Sequence, residues 1–117
     1  MNTILDETLC ELEGAPVRLY ARANRGRRRG QDPWVTAYVV LPWTKKVHET
    51  REQWFAKDFS WEAPVNGGIT FEETESSGWT IGWDYNHGFN VRYGTTCPTL
   101  DQIRAEAKQL VDLFREE

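Results

Sequence analysis

Two strand-like segments within residues 67–88 constrain the fold of this chain more than any other feature of its sequence. Gly67–Glu73 and Gly78–Asp84 each alternate apolar with polar side chains, which is the pattern of a half-buried strand. The residues between them, Thr74–Ser77, are polar and suit a tight turn. We therefore expect a β-hairpin whose second strand presents one heavy apolar face, formed by Trp79, Ile81 and Trp83.

A second hairpin is predicted in the first third of the chain. Val17–Arg22 alternates in the same way, and Trp34–Leu41 is a run rich in β-branched and aromatic residues that stops at Pro42. The connection between these strands contains Gly26 and Gly30, which favour a loop. The expected sheet therefore has about four strands in two hairpins.

The C-terminal segment carries the signals of an amphipathic helix. Thr99 and Gln102 have the spacing of a capping box, so the helix should begin at Leu100. Apolar residues then recur at intervals of three and four, as a stripe that can pack on a sheet: Leu100, Ile103, Ala107, Leu110 and Phe114.

The remaining segments give weaker patterns. Three leucines spaced by four and three fall on one side of a helix over Thr3–Glu13, with Gly14 in the position of a C-cap. A short helix is expected around Glu49–Lys57, and Asn86–Thr96 is interpreted as an irregular loop. The sequence thus predicts a single α+β domain over residues 1–117, an antiparallel sheet packed by the C-terminal helix and one or two further short helices.

Length and composition limit the class of protein. The 117 residues are enough for one core, and the six tryptophans indicate that this core is built from a few large rings. No apolar run approaches the roughly 20 residues of a membrane-spanning helix, and residues 1–3 do not begin a secretory leader. Cys10 and Cys97 lack the spacing of a zinc site. We expect a cytoplasmic protein with two reduced thiols, no metal, no cofactor and no membrane partner.

The charge is unevenly distributed along the chain. Residues 18–29 contain six arginines and no acid and therefore carry a charge of +6. Since the net charge of the chain is −4, the remaining residues together carry −10. This segment is either a solvated loop or an arm that grips phosphate, because guanidinium groups match phosphate oxygens in pairs. The residues expected to bind a phosphate or another anionic ligand are Arg25, Arg27, Arg28 and Arg29.

Asp84 and His87 form the most site-like polar pair. A carboxylate can fix the tautomer of a nearby imidazole and raise its basicity, so the two are candidate catalytic residues of a general acid–base site. The alternative is structural: Asp84 binds backbone N–H groups of the turn while His87 packs. Gly67 and Gly68, for their part, either let a ligand approach the backbone or provide positive φ.

The tryptophans of the middle segment are candidate partner anchors. Trp79 and Trp83 fit core positions in strands, whereas Trp43, Trp54 and Trp61 lie among charged residues. Because tryptophan is enriched where partners are anchored, one or two of these three are expected on the surface. An exposed ring near the arginine arm would also suit stacking with a nucleic-acid base.

The segment from Asn66 to His87 resembles a set of small uncharacterised phage and prophage proteins. Their pattern is His/Asn-Gly-Gly-Leu/Ile-Thr-Phe/Tyr, then Gly-Trp-x-Ile-Gly-Phe/Trp-Asp-x-x-His, and it is matched here by residues 66–71 and 78–87. The resemblance extends over residues 34–114. Where those proteins often have Cys-Ala between the Asp and the His, this chain has Tyr85-Asn86, which weakens a catalytic interpretation. The resemblance implies a phage accessory protein in a bacterial cytoplasm, without a settled activity.

Three functions follow as hypotheses. The first is a non-enzymatic binding module that acts on a host protein or a small ligand in host takeover or counter-defence. The second is a small hydrolase or nucleotide-processing enzyme that uses Asp84 and His87. The third is a nucleic-acid binder that contacts phosphates through the Arg18–Arg29 segment, with an affinity that falls steeply with salt.

Overall fold

The fold is built on a five-stranded sheet in which all neighbouring strands are antiparallel. The structure is a computed structural model and describes residues 2–26, 30–31, 33–57 and 63–115. The strands lie in the order β1-β2-β3-β5-β4, and their bounds are β1 Asn2–Leu12, β2 Ala15–Asn24, β3 Trp34–Leu41, β4 Phe71–Glu75 and β5 Gly78–Asp84. The two predicted hairpins are confirmed as β2–β3 and β4–β5, and the predicted α+β class is confirmed with one strand more than expected.

The additional strand is β1, so the helix predicted over Thr3–Glu13 is wrong. Two register shifts, between Thr3 and Leu5 and between Thr8 and Cys10, interrupt the alternation of β1. Because a bulge inserts an extra residue, Leu5 and Leu12 are both buried although seven positions separate them. A spacing that looks helical is therefore a bulged strand. Glu13 (φ 50°) and Gly14 (φ 80°) both have positive φ, as in a type I′ turn, and connect β1 to β2. Gly14 is therefore part of a hairpin turn and not the C-cap of a helix.

Within the described residues, three helices accompany the sheet: α1 Lys45–Lys57, α2 Gly88–Tyr93 and α3 Leu100–Asp112. The predicted start of α3 is confirmed, since Thr99 Oγ1 accepts a hydrogen bond of 3.1 Å from the backbone N–H of Gln102. The buried part of its stripe begins at Ile103, whereas Leu100 is 37% exposed. The core packs α1 and α3 on one face of the sheet through Trp54, Trp79 and Phe114, whose ring centroids lie 5.7 to 6.0 Å apart.

Two further predicted boundaries are corrected by local backbone chemistry. Helix α1 begins four residues before Glu49, because Thr44 Oγ1 accepts a hydrogen bond from the backbone N–H of Val47. Strand β4 begins at Phe71 and not at Gly67, since Gly67 and Gly68 have φ of 73° and 78° and cannot continue a strand.

The segment interpreted as an irregular loop contains a helix. Residues 88–93 of the Asn86–Thr96 segment form α2, which ends at Gly94 in the left-handed region with φ 68°. Among the described residues, no helix combines the length and the apolar character required to cross a lipid bilayer.

Candidate functional site

The side of the sheet opposite α1 and α3 carries an aligned set of aromatic rings. On β3, half-buried side chains alternate with fully buried ones, so that Thr36, Tyr38 and Val40 lie opposite the core. We call this side the open face and define it by Arg18, Tyr20, Arg22, Thr36, Tyr38, Val40, Phe71, Glu73, Gly82 and Asp84.

Strand register places three rings of the open face in one row across the sheet. Tyr20 pairs with Tyr38, Tyr38 with Gly82, and Gly82 with Phe71. The rings of Tyr20 and Tyr38 are stacked, with centroids 4.8 Å apart and an interplanar angle of 17°, and the ring of Phe71 meets that of Tyr38 edge-on at 5.4 Å. We call this set the aromatic row.

Gly82 makes the row continuous. A Cβ at this position would lie 2.6 Å from Cδ1 and 2.9 Å from Cε1 of Tyr38, so the tyrosine ring lies directly over the glycine. Any larger residue would push the ring away from β5 and from Phe71 beyond it. The glycine of the Gly-Trp-Thr-Ile-Gly-Trp segment thus has a packing reason that its sequence alone does not reveal.

Two arginines cover the β2 end of the aromatic row. The guanidinium carbon of Arg18 lies 4.7 Å from the ring centroid of Tyr20, and that of Arg22 lies 5.4 Å from Tyr20 and 5.8 Å from Tyr38. Arg18 also makes a bidentate pair with Asp6, both bonds 2.8 Å, which lowers the pKa of Asp6 and raises that of Arg18. Arg22 has no acidic partner among the described residues.

The charge on the open face changes sign across the sheet. Arg22 lies on β2, and Arg25, just past the end of that strand, is exposed. On the far strand β4, Glu73 and Glu75 are exposed on the same side as Phe71. The other three arginines expected to bind phosphate, Arg27, Arg28 and Arg29, lie outside the described residues.

Asp84 and His87 are close together at the end of β5. His87 Nε2 lies 3.6 Å from Asp84 Oδ1, longer than a hydrogen bond, and each side chain is about a quarter exposed, at 27% and 24%. Both oxygens of Asp84 have other donors, since Oδ1 accepts from the backbone N–H of Asn86 at 3.0 Å and Oδ2 from Thr70 Oγ1 at 2.9 Å. The carboxylate therefore forms the turn expected in the structural interpretation, and it is also adjacent to the imidazole as the catalytic interpretation requires.

The ring of His87 is held by packing. It lies parallel to the ring of Phe89, with centroids 5.4 Å apart, and Nε2 is buried without a hydrogen-bond partner among the described residues. A Cβ on Gly67 would lie 2.1 Å from that nitrogen. Gly67 thus supplies positive φ and also leaves room for the imidazole, so the approaching group is a side chain of the protein itself.

An amide pair next to this site, formed by the half-buried Asn66 and the buried Asn90, is not indicated by any sequence pattern. Asn66 and Asn90 exchange side-chain hydrogen bonds of 2.9 and 3.1 Å, and Asn90 is 1% exposed. Asn90 Oδ1 also accepts from the backbone N–H of His87, and Asn66 Nδ2 donates to the backbone carbonyl of Asp84. The pair therefore joins both ends of the Asp84–His87 turn to the loop before β4.

Glu106 connects the same loop to α3. Its Oε1 accepts from the backbone N–H of Asn66 at 2.7 Å, and its Oε2 accepts from the hydroxyl of Tyr85 at 2.6 Å. Burial, together with this hydrogen bond, raises the pKa of Tyr85 well above its ordinary value. These partners are 21 and 40 residues apart in the chain, so no local pattern could have revealed them.

The three tryptophans predicted as partner anchors, Trp43, Trp54 and Trp61, differ in their exposure. Trp54 is 8% exposed within the core, so its ring offers little surface to a partner. Trp43 is half-buried, stacks on His48 with centroids 4.5 Å apart, and donates Nε1–H to the backbone carbonyl of Glu75 at 2.7 Å. Trp61 lies outside the described residues.

The described part of the chain contains no group of three or more His, Cys, Asp or Glu side chains placed to hold a metal ion. Comparison of the chain with known protein families, with curated proteins and with solved structures finds no significant match.

Proposed function

We propose that the protein is a non-enzymatic binding module whose ligand is single-stranded nucleic acid, bound on the open face of the sheet. The observation that supports this most is the aromatic row, three rings side by side with guanidinium groups over one end. Bases stack on such rings, and each stacked base contributes about 1–3 kcal/mol to binding. The binding-module and nucleic-acid hypotheses thus combine in one surface.

A single strand fits this surface better than a duplex. The bases of a duplex are already stacked on each other and expose only their edges, whereas an unpaired base can stack on an exposed ring such as that of Phe71, which is 42% exposed. The open face is a broad sheet surface, and no described helix projects from it to enter a groove.

The distribution of charge on the open face indicates how a single strand would be oriented on it. The chain as a whole is acidic, which disfavours broad non-specific binding, but Arg22 lies on β2 and the exposed Arg25 follows the end of that strand. Glu73 and Glu75 repel phosphate at the β4 end. The sugar–phosphate backbone is therefore expected along β2, with the bases directed across the sheet toward β4.

The primary test is the affinity of Tyr38→Ala for fluorescent oligonucleotides of about eight nucleotides, DNA and RNA, measured by anisotropy. Loss of one stacking ring should weaken binding about 5- to 150-fold. Tyr93→Ala is the matched control, because Tyr93 is 69% exposed but lies on α2 and is not one of the residues of the open face. Equal losses in the two variants, or no binding by the unmodified protein, would refute the proposal.

A second test concerns the phosphate contact. Arg22→Gln should weaken binding and reduce the slope of log affinity against log salt by about 0.7, the value expected when one phosphate contact to a single strand is lost. Arg92→Gln is its control, since Arg92 lies over the ring of Tyr93 on α2 with its guanidinium carbon 5.5 Å from the centroid. A salt slope that is unchanged in Arg22→Gln would exclude Arg22 as a phosphate ligand.

A second candidate function is supported by one observation, the 3.6 Å separation of His87 Nε2 and Asp84 Oδ1. A small movement would give an oriented imidazole able to act as a general base in a hydrolase or nucleotide-processing enzyme. His87→Ala separates the two functions, because turnover would be lost with the fold preserved, whereas oligonucleotide binding through the open face would be nearly unchanged.

The biological setting we infer is that of a phage accessory protein in a bacterial cytoplasm, in host takeover or counter-defence. This inference depends only on the resemblance of residues 66–71 and 78–87 to small phage proteins. A host protein bound to the open face instead of nucleic acid would appear as a stoichiometric partner, lost in Tyr38→Ala, in native mass spectrometry of the protein recovered from lysate.

A further inference from the structure

We infer that Asp84 is a specificity-determining residue that selects cytosine and adenine, which carry an amino group at the position where thymine and uracil carry a carbonyl oxygen. This inference rests on the proposed function, because it concerns a base that is stacked on the aromatic row. It assigns to Asp84 a role in recognition that requires no chemistry at His87.

The position of Asp84 is set by the sheet register. Asp84 pairs with Thr36, and Gly82 pairs with Tyr38, so the carboxylate lies one step beyond the aromatic row on the same face of β5. Two residues of a strand span about 6–7 Å, a separation that aromatic rings bridge on a sheet surface. Phe71, which pairs with Gly82, is 42% exposed, and the edge of a base stacked on its ring is therefore within reach of Asp84.

The carboxylate of Asp84 is fixed in orientation by its neighbours. The hydroxyl of Thr70 holds Oδ2 at 2.9 Å and the backbone N–H of Asn86 holds Oδ1 at 3.0 Å. A carboxylate has about four accepting positions, so each oxygen retains one for a ligand. The side chain is 24% exposed, which leaves these positions accessible from the open face.

An ionised carboxylate only accepts hydrogen bonds, so it favours a base that presents a donor over a base that presents another acceptor. The amino groups of cytosine and adenine donate to a carboxylate, whereas thymine and uracil present a carbonyl oxygen at the equivalent position. The keto bases would therefore place two acceptors against each other. Glu73 and Glu75 share the face with Asp84 but are exposed, and their carboxylates accept no hydrogen bond from the described residues, so they lack the fixed direction that selection requires.

The test compares labelled oligocytidylate and oligothymidylate DNA of about eight nucleotides at neutral pH, because the two bases are similar in size. The unmodified protein should bind oligocytidylate about fivefold more tightly or better. Asp84→Asn should reduce this ratio to about one or reverse it, because an amide also presents a donor to the keto oxygen. Glu75→Gln is the matched control: it removes the same charge from the same face, so it should change both affinities alike and preserve the ratio.

A second variant guards against loss of the fold in Asp84→Asn. Thr70→Val removes the hydroxyl that orients Oδ2 and leaves the carboxylate in place, so it should diminish the ratio with an unchanged thermal unfolding profile. If the unmodified protein binds both oligonucleotides equally and Tyr38→Ala abolishes that binding, the role of Asp84 is wrong and the open-face function stands. If neither oligonucleotide binds, the proposed function itself is refuted.

Discussion

Replacing Gly67 by alanine should disturb the Asp84–His87 turn through a single methyl group. The new Cβ would lie 2.1 Å from Nε2, 2.4 Å from Cδ2 and 2.6 Å from Cε1 of His87, so the ring must move by more than about 1 Å to reach ordinary contact. That movement separates His87 from Phe89, whose stacking contributes about 0.5–1.5 kcal/mol. Crowding of this kind costs about 1–3 kcal/mol in well-packed proteins.

The backbone contributes a second cost that Gly14→Ala isolates. Gly67 has φ 73° and Gly14 has φ 80°, so both alanines carry the left-handed penalty of about 1–2 kcal/mol. A Cβ on Gly14, however, meets nothing within 4 Å. Urea unfolding should therefore give a free energy of unfolding lower by about 1–2 kcal/mol for Gly14→Ala and by about 2–5 kcal/mol for Gly67→Ala. Equal losses in the two variants would show that His87 is not held against Gly67.

Three other substitutions test the remaining contacts. Asn90→Ala leaves the backbone N–H of His87 and the side-chain oxygen of Asn66 without their partner, so urea unfolding should show a loss of about 2–4 kcal/mol, against little change in the control Val91→Ala on the same helix. Tyr85→Phe should cost about 1–3 kcal/mol at neutral pH. Because the folded-state pKa of Tyr85 is raised, its contribution is fully present below about pH 10 and declines as pH rises beyond that, when the unfolded chain loses the proton first. The difference in unfolding free energy between Tyr85→Phe and the unmodified protein should therefore shrink at alkaline pH, and a constant difference would contradict the assignment. Gly82→Ala should displace the ring of Tyr38 and weaken oligonucleotide binding while all three rings of the aromatic row are still present; unchanged affinity would count against the packing of Tyr38 over Gly82.

What the sequence predicts correctly depends on how local the physical cause is. Helix α3 is predicted from Thr99 because its cap and its apolar stripe lie within one continuous segment. The β4–β5 hairpin is predicted for the same reason, since alternation and turn residues are adjacent. Each of these signals acts over a few residues.

The predictions of a helix at β1 and of a loop at α2 are wrong because local pattern and tertiary structure disagree in both segments. The bulges of β1 change its apolar spacing to one that imitates a helix, and only pairing with β2 makes it a strand. Helix α2 is a single short turn-and-a-half, stabilised by Asn90 through a hydrogen bond to the backbone N–H of His87 and by the αL residue Gly94. Neither element has a long periodic pattern.

The candidate site could be predicted only in part. The proximity of Asp84 and His87 follows from their separation of three positions in the chain, but the packing of His87 on Gly67 does not. The aromatic row requires the register of four strands, which depends on how β3 pairs with β5 across the 36 intervening residues, 42–77. Alternation indicates which side chains share a face of one strand, and it leaves the alignment between distant strands undetermined.

The two outer strands bear on how the protein behaves at high concentration. Natural sheets avoid joining edge to edge through bulges and through charged side chains on their outermost strands. Strand β1 has two bulges, and β4, with the sequence Phe-Glu-Glu-Thr-Glu, would bring carboxylates of two copies together if their edges met. The chain can thus display a broad, partly aromatic sheet surface to a ligand while both of its borders disfavour growth into fibrillar aggregates.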